Sequence, residues 1–200
     1  MEAHLACIVE GHGEVSALPI LIRRLAPLVD PGLMVHIPQP IRTPRGRLLK
    51  AGELERAVEL AVRKLRARGG VLLLIDAHGD CPATMGPDLL RRAAEARSDV
   101  PLAAIVAKQE YEAWFLASAE SLRGRRGLAL DLAPPEDPEA VQGAKEWLSA
   151  RMEGNRKYVE TLDQPALTNE FDVNAARQKS DSFDKCYRCI LRLLQQARQA

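Results

Sequence analysis

The sequence predicts an α/β fold: a mostly parallel central sheet flanked by helices, with a C-terminal helical extension. Three observations carry this reading. The run VLLLI at residues 71–75 is unbroken and apolar, as in a central strand covered on both faces. From Leu5 to about residue 118, apolar strands alternate with helical patterns, and the connections are long enough for right-handed crossovers. Beyond about residue 120 the strand patterns stop and only helical periodicity continues. The chain thus divides by pattern into an α/β core over residues 1–120 and a helical extension over 121–200 packed on it.

Taken in order, Leu5–Val9 reads as a buried strand and Glu14–Leu28 as a helix, with Val15, Leu18, Leu21, Ile22 and Leu25 at three-and-four spacing. Gly11, His12 and Gly13 make the turn between them. Leu33–Ile37 is a second short strand, after which Pro38, Pro40 and Pro44 oppose a helix over the next ten residues. Glu53–Ala67 is an amphipathic helix with Gly69 and Gly70 as its stop signal. The strand Val71–Ile75 leads through a loop, Asp76–Pro87, to a helix over Asp88–Arg97, and Leu102–Ala107 is another apolar strand. A helix begins over Glu110–Ser118; the proline-rich acidic connector APPEDPE follows at 133–139, then helical segments near 140–152, 170–178 and 182–198.

Composition narrows the function classes. With 200 residues and 46% hydrophobic content, one core is expected. The 28 basic and 27 acidic residues nearly cancel, so no global field favours nucleic acid or membrane, and any phosphate contact must come from a local patch. The loop PQPIRTPRGRLLK supplies one, because Arg42, Arg45, Arg47 and Lys50 stand there with no acidic residue. Aromatic content of 4% argues against a base-stacking platform, and Tyr111, Trp114 and Phe115, within one helical turn, read as core. Glu2 and His4 at the start, and an apolar run far shorter than a leader's, predict a soluble cytoplasmic chain with no membrane partner. Four cysteines are too few for a disulfide scaffold; Cys186 and Cys189 form a CxxC inside a helical pattern without a second such pair, which reads as a packed helix face.

In a parallel α/β sheet, functional groups collect beyond the carboxyl ends of the strands. Glu10 ends the first strand, Asp76 ends VLLLI with His78 and Asp80 behind it, and Lys108, Glu110 and Glu112 follow the Leu102 strand. Carboxylates gathered without partners repel one another, and a divalent cation relieves this. Oxygen ligands favour Mg²⁺ or Mn²⁺, and a nearby histidine shifts the preference toward Mn²⁺ or another transition metal. Gly11, Gly13 and Gly79 allow sharp turns and close approach. Singly, each acid has a structural explanation: Glu14 suits the first turn of a helix, and Asp76 or Asp80 suits a turn. It is their convergence from three strand ends that argues for a metal. A phosphate loop at Gly11–Gly13 matches neither known glycine spacing and stands between Glu10 and Glu14, which repel phosphate. Cys81 lies near His78 but no acyl-transfer signature surrounds it.

The pairing of IVEGHGE with VLLLIDAHGD resembles the Toprim fold of topoisomerases, bacterial primases, recombination-repair proteins and the overcoming-lysogenization-defect nucleases, and Glu14 is especially like the nuclease branch. More narrowly, QEYEAWFLAS, YVETLDQPALTNEFD and KSDSFDKC are similar to bacterial domain-of-unknown-function family 4276, a Toprim-like group associated with mobile elements and phage defence. The resemblance implies that Glu10 is the Toprim glutamate, a metal ligand or general acid-base, and that Asp76 is the first aspartate of a DxD pair. The second aspartate is replaced by His78, with Asp80 two residues further on, so either His78 or Asp80 completes the pair. Glu110 and Glu112 look like the additional acids of the nuclease branch.

The expected activity is Mg²⁺- or Mn²⁺-dependent phosphodiester hydrolysis of DNA or RNA. Glu10, Asp76 and Asp80 are its catalytic acids; Glu14, His78, Glu110 and Glu112 are further candidate ligands. Arg42, Arg45, Arg47 and Lys50 are the phosphate contacts, with Lys179 and Lys185 as lesser ones. Two other expectations stand beside it: a noncatalytic module binding nucleic acid or a partner protein of the same system, and phosphoryl or nucleotidyl transfer on a nucleotide.

Overall fold

The computed structural model describes residues 1–65 and 67–199. Five strands form the sheet: β1 Glu2–Val9, β2 Met34–His36, β3 Ile41–Arg42, β4 Gly70–Asp76 and β5 Leu102–Ala107. Every pairing is parallel, in the order β2, β1, β4, β5, with β3 also on β1. β2 pairs with the beginning of β1 and β3 with its end. Pro38 and Pro40 lie between them, and a proline cannot donate to a ladder.

Strand periodicity sorts the core into two faces. Ala3, Leu5, Cys7 and Val9 of β1, with Leu72 and Leu74 of β4, face one cluster; Ala6 and Ile8, with Val71, Leu73 and Ile75, face the other. The first cluster takes residues from helices α1 Glu14–Leu25 and α9 Asp181–Gln199. The second takes them from α3 Glu53–Lys64 and α4 Pro82–Ala96. The C-terminal region thereby shares the core of the sheet: Ile190, Leu193 and Leu194 of α9 are fully or almost fully buried in the same cluster as Leu5. Cys186 faces that core, so the CxxC is a packed helix face as its periodicity predicts. Tyr111, Trp114 and Phe115 are also core: Tyr111 meets the other two, and in edge and tilted contacts Trp114 meets Phe183 and Phe115 meets Phe171.

Several elements depart from the sequence expectation. A one-turn helix, α2 Arg45–Leu48, follows Pro44, which precedes its first turn and so is no obstacle to it. α3 stops at Lys64, before the glycines, because Leu65 turns extended; position 66 of the predicted helix lies outside the described residues. α4 begins at Pro82, with a proline in its first turn, rather than at Asp88. The helix after β5 is shorter than expected, α5 Ala113–Ala117, as is the one after the connector, α6 Ala144–Ser149. α7 Glu160–Glu170 was not expected as a helix at all. Its buried face holds Asp163, Gln164 and Thr168 beside the single apolar Leu167, so the apolar stripe that reveals a helix is missing, and Pro165 interrupts it further. α8 Val173–Lys179 starts at Asp172, whose carboxylate accepts from Asn174 N and Ala175 N as an N-cap. Among the described residues after β5, β pairing is limited to one isolated bridge, Leu128 to Met152. No helix among them is long and apolar enough to cross a membrane.

Candidate functional site

Parallel pairing brings the carboxyl ends of β1, β4 and β5 to one edge, where the segments beyond β1, β3 and β4 line a pocket of about 250 Å³. Glu10, Glu14, Asp76 and His78 line it from the strand ends, Arg42 and Pro44 from the basic loop. The remaining wall comes from the C-terminal region: Lys145 of α6 and Glu160 of α7.

Backbone amides position the carboxylates. Glu10 Oε2 accepts from Asp76 N at 3.2 Å, tying β1 to β4, while its Oε1 lies 3.2 Å from His78 Nε2. Glu14 Oε2 accepts from Gly11 N, so the first-turn glutamate folds back over the turn that precedes it. Glu160 Oε1 accepts from Gly13 N at 2.8 Å, bringing α7 down onto the same turn. The glycines serve this approach: a Cβ on Gly11 would stand 2.8 Å from Glu160 Oε1, and one on Gly13 would collide with Gln164 Oε1. Gly79, with φ 92°, has open space around it and is kept for its left-handed backbone. His78 is itself left-handed at φ 48°, an uncommon state for a residue with a side chain, and its N–H donates to Gln109 O, also left-handed.

Asp76 is buried and accepts Tyr111 N at 3.0 Å on Oδ1. Burial first, then the nearby Glu14, Glu112 and Glu10, raise its carboxyl well above the usual range. Glu14 is raised as well, mainly by burial. Behind the pocket, Glu112 is completely buried; burial pushes it to about 7 against the opposing pull of Lys145 and of the Tyr158 hydroxyl, which donates to its Oε1 at 2.9 Å. Its Oε2 has no hydrogen-bond partner among the described residues, and Lys145 Nζ lies 3.6 Å away. The same ammonium is 3.7 Å from Glu160. Burial opposes the charge of Lys145, but Glu112, Glu110, Glu160 and Asp76 outweigh it and hold the lysine protonated. One lysine therefore serves several acids, and the acidic groups lining the pocket outnumber its cations, Lys145 and Arg42.

Not every expected residue is part of this arrangement. Asp80 does not line the pocket: it is exposed and paired with Arg45, whose guanidinium also donates to Asp76 O at 3.4 Å and Ala77 O at 3.3 Å. Between the two candidates for the second position, it is thus His78 that stands beside Glu10. Glu110 accepts Ala144 N at 3.0 Å and anchors the start of α6. The basic loop is largely engaged within the chain. Arg45 holds Asp80, and Arg47 pairs with Glu53 at 2.5 Å. Arg42 alone of the four lines the pocket, its guanidinium donating to Glu10 O at 3.4 Å. Lys50 is exposed beyond α2, and its carbonyl accepts from Arg92. Lys179 lines a separate cleft with Ser118 and Asp172, and Lys185 lies beside Gly86 of α4.

Sequence reasoning assigned no role to Lys145, Tyr158, Glu160 or Gln164. Three of them fall within or beside YVETLDQP, where the resemblance was visible but no apolar periodicity marked a helix. Lys145 carried no signal, since a lysine in a helix is ordinarily a solvated one.

The family model for a domain of unknown function, DUF4276, matches residues 9–188. The chain belongs to the DUF4276 family. The matched span includes every residue that lines the carboxylate pocket, from Glu10 to Glu160. Comparison with curated proteins gave no match, and neither did comparison with solved structures.

Proposed function

We propose that this DUF4276 member is a Toprim-type enzyme that hydrolyses phosphodiester bonds of nucleic acid with Mg²⁺ or Mn²⁺, in a phage-defence or mobile-element setting. The observation that carries the reading is the excess of acids over cations in the pocket: Glu10, Glu14, Asp76 and Glu160 against Lys145 and Arg42, with Asp76 buried among its own kind. The donor set is one that suits such an ion. Mg²⁺ binds through one or two carboxylates and keeps several waters, so Glu10 and Asp76, at the ends of adjacent strands, would hold it, with Glu14 and His78 lining the same pocket. When bound, the ion neutralises phosphate charge and lowers the pKa of an attacking water.

The chain's own residues do the rest. Arg42 and Lys145 flank the pocket and offset a phosphate group's charge, and they replace Arg45, Arg47, Lys50 and Lys185 as the proposed contacts near the chemistry. Tyr158 and Gln164 fix Glu112, and Glu112 in turn positions Lys145. Whether the substrate is DNA or RNA is decided by assay: supercoiled plasmid, linear duplex, single-stranded DNA and RNA are each incubated with Mg²⁺ or Mn²⁺. Cleavage of at least one is expected, with Glu10→Gln and Asp76→Asn reduced by more than the roughly 100-fold typical of losing an outer-shell group. Equal behaviour of native protein and both variants would sink the catalytic reading. It would leave the noncatalytic binding module, which the engagement of Glu10 and Glu14 with backbone amides and His78 favours.

A further inference from the structure

At the opposite end of β1 stands a second group of ligand-type side chains, unrelated to the carboxylate pocket. Glu2 and His4 project from the same face of β1, because residues two apart on a strand do so. The parallel register sets His36 of β2 directly opposite His4, and the two imidazoles stack with centroids 4.7 Å apart and planes inclined by 15°. Glu2 Oε2 lies 3.6 Å from His36 Nε2 and 4.0 Å from His4 Nε2. Among the described residues, Glu2, His4 and His36 form the trio whose donor atoms all lie within 4.8 Å of one another.

We propose that Glu2, His4 and His36 form a Zn²⁺ site with an open fourth position. Bonds of about 2.0–2.2 Å in a tetrahedron place ligand atoms roughly 3.3 Å apart, so Glu2 needs to close on each histidine by less than about an ångström and the two imidazoles on each other by at most about 1.5 Å. Imidazole nitrogen selects Zn²⁺ over Mg²⁺ or Ca²⁺, and this site offers two imidazoles to one carboxylate, whereas the pocket at the other edge offers Glu10, Glu14, Asp76 and Glu160 with the single His78. The backbone prearranges it. Met34 N donates to Met1 O at 2.9 Å, pairing the strands up to the very start of β1, and the His4 backbone packs against Gly69 so closely that no Cβ would fit there. Beside the trio lies a pocket of about 340 Å³ lined also by Arg23 and Lys64. His4 and His36 face this pocket, which leaves room for a water or small anion on the metal, and the two cations favour an anion.

Roughly 20 Å of β1 separates His4 from Glu10, so the two edges can be loaded and tested separately. The experiment uses the untagged chain, since a histidine tag would bind Zn²⁺ itself. Zn²⁺ binding is titrated calorimetrically, and Co²⁺ substitution is followed by its visible absorption, which is intense only in tetrahedral sites. One Zn²⁺ per chain is expected, which Mg²⁺ does not displace, and tetrahedral Co²⁺ absorption. His36→Gln and Glu2→Gln alter exposed side chains, leave the fold intact by circular dichroism, and weaken that binding at least about tenfold. Glu10→Gln and Asp76→Asn leave it unchanged. Zn²⁺ binding that survives His36→Gln, binding lost in Glu10→Gln instead, or no binding by the native chain would each overturn the proposal without touching the nuclease reading.

Discussion

Two buried carboxylates, Asp76 and Asp163, meet opposite surroundings. Asp163 Oδ1 takes Arg126 Nε at 3.0 Å and pairs with Arg156, while Oδ2 accepts Val159 N at 2.8 Å. It thereby pins the Arg125–Gly127 turn and the approach to α7 with its charge fully matched. Asp76 has one backbone donor and several acidic neighbours. The same substitution should therefore act in opposite directions. Asp163→Asn strands two guanidinium groups and is expected to cost about 3 kcal/mol in denaturant unfolding. Asp76→Asn removes repulsion and should raise the melting point of the metal-free protein near neutral pH, while abolishing any rise on adding Mg²⁺ or Mn²⁺. If both variants fall alike, Asp76 is not held against its neighbours' charge. The identity of Asp76 as a strand-end acid was legible in the sequence. That of Asp163 as a hub was not, because its partners lie 37 and 7 residues away and nothing local announces them.

At the scale of elements, α7 is the piece that converts an open strand edge into a pocket. It packs on α1, and Glu160 and Gln164 reach the Gly11–Gly13 turn from above. The turn must stay narrow for this. Gly13 has ordinary helical angles, φ −68° and ψ −40°, so alanine there meets no backbone strain but drives its methyl into Gln164. Gly13→Ala is expected to destabilise by about 1–3 kcal/mol, the usual cost of overpacking, and to expose Glu160 by pushing α7 outward. Hydrogen exchange at α7 amides separates this from a local effect on α1: protection of α7 falls further. Sequence periodicity recovered β1, β4, β5, α1 and α9 because their buried faces are apolar. It failed for α7, whose buried positions are Asp163, Gln164 and Thr168 with Leu167 alone apolar, and it started α4 late by taking Pro87 as a boundary when Pro82 already opened the helix. A polar face that is satisfied only by distant partners has no one-dimensional signature.

For the whole molecule, opposite charges balance at a net +1, yet they are unevenly placed, with buried acid concentrated at one sheet edge. This gives the metal-free protein an unusual pH response. A carboxyl raised in the folded state contributes its stability below the unfolded value and loses it as pH rises through the folded one. Glu112 has an ordinary value of 4.5 and is pushed to about 7, and Asp76 and Glu14 are raised in the same direction. Melting temperature should therefore increase as pH falls from about 8 toward about 5, and saturating Mg²⁺ or Mn²⁺ should flatten that slope. A metal-free melting point that falls steadily over the same interval would show that other carboxylates, paired in the folded state, govern its acid response.

The sequence by itself determined the main strands of the sheet, β1, β2, β4 and β5, but not the two-residue β3 inside the proline-broken loop. Its apolar runs and their crossovers fixed a parallel arrangement, and parallel strands necessarily deliver Glu10 and Asp76 to a common edge. Tertiary structure alone decided which acids stay there. Arg45 draws Asp80 away, the start of α6 claims Glu110, and Lys145 and Glu160 arrive from the far end of the chain. Likewise only the register of β1 against β2 sets His36 beside His4. The reason is common to all these cases: periodicity along a chain reports which face a residue occupies, whereas a charged or ligating group acquires its chemistry from the partner that packing places opposite it.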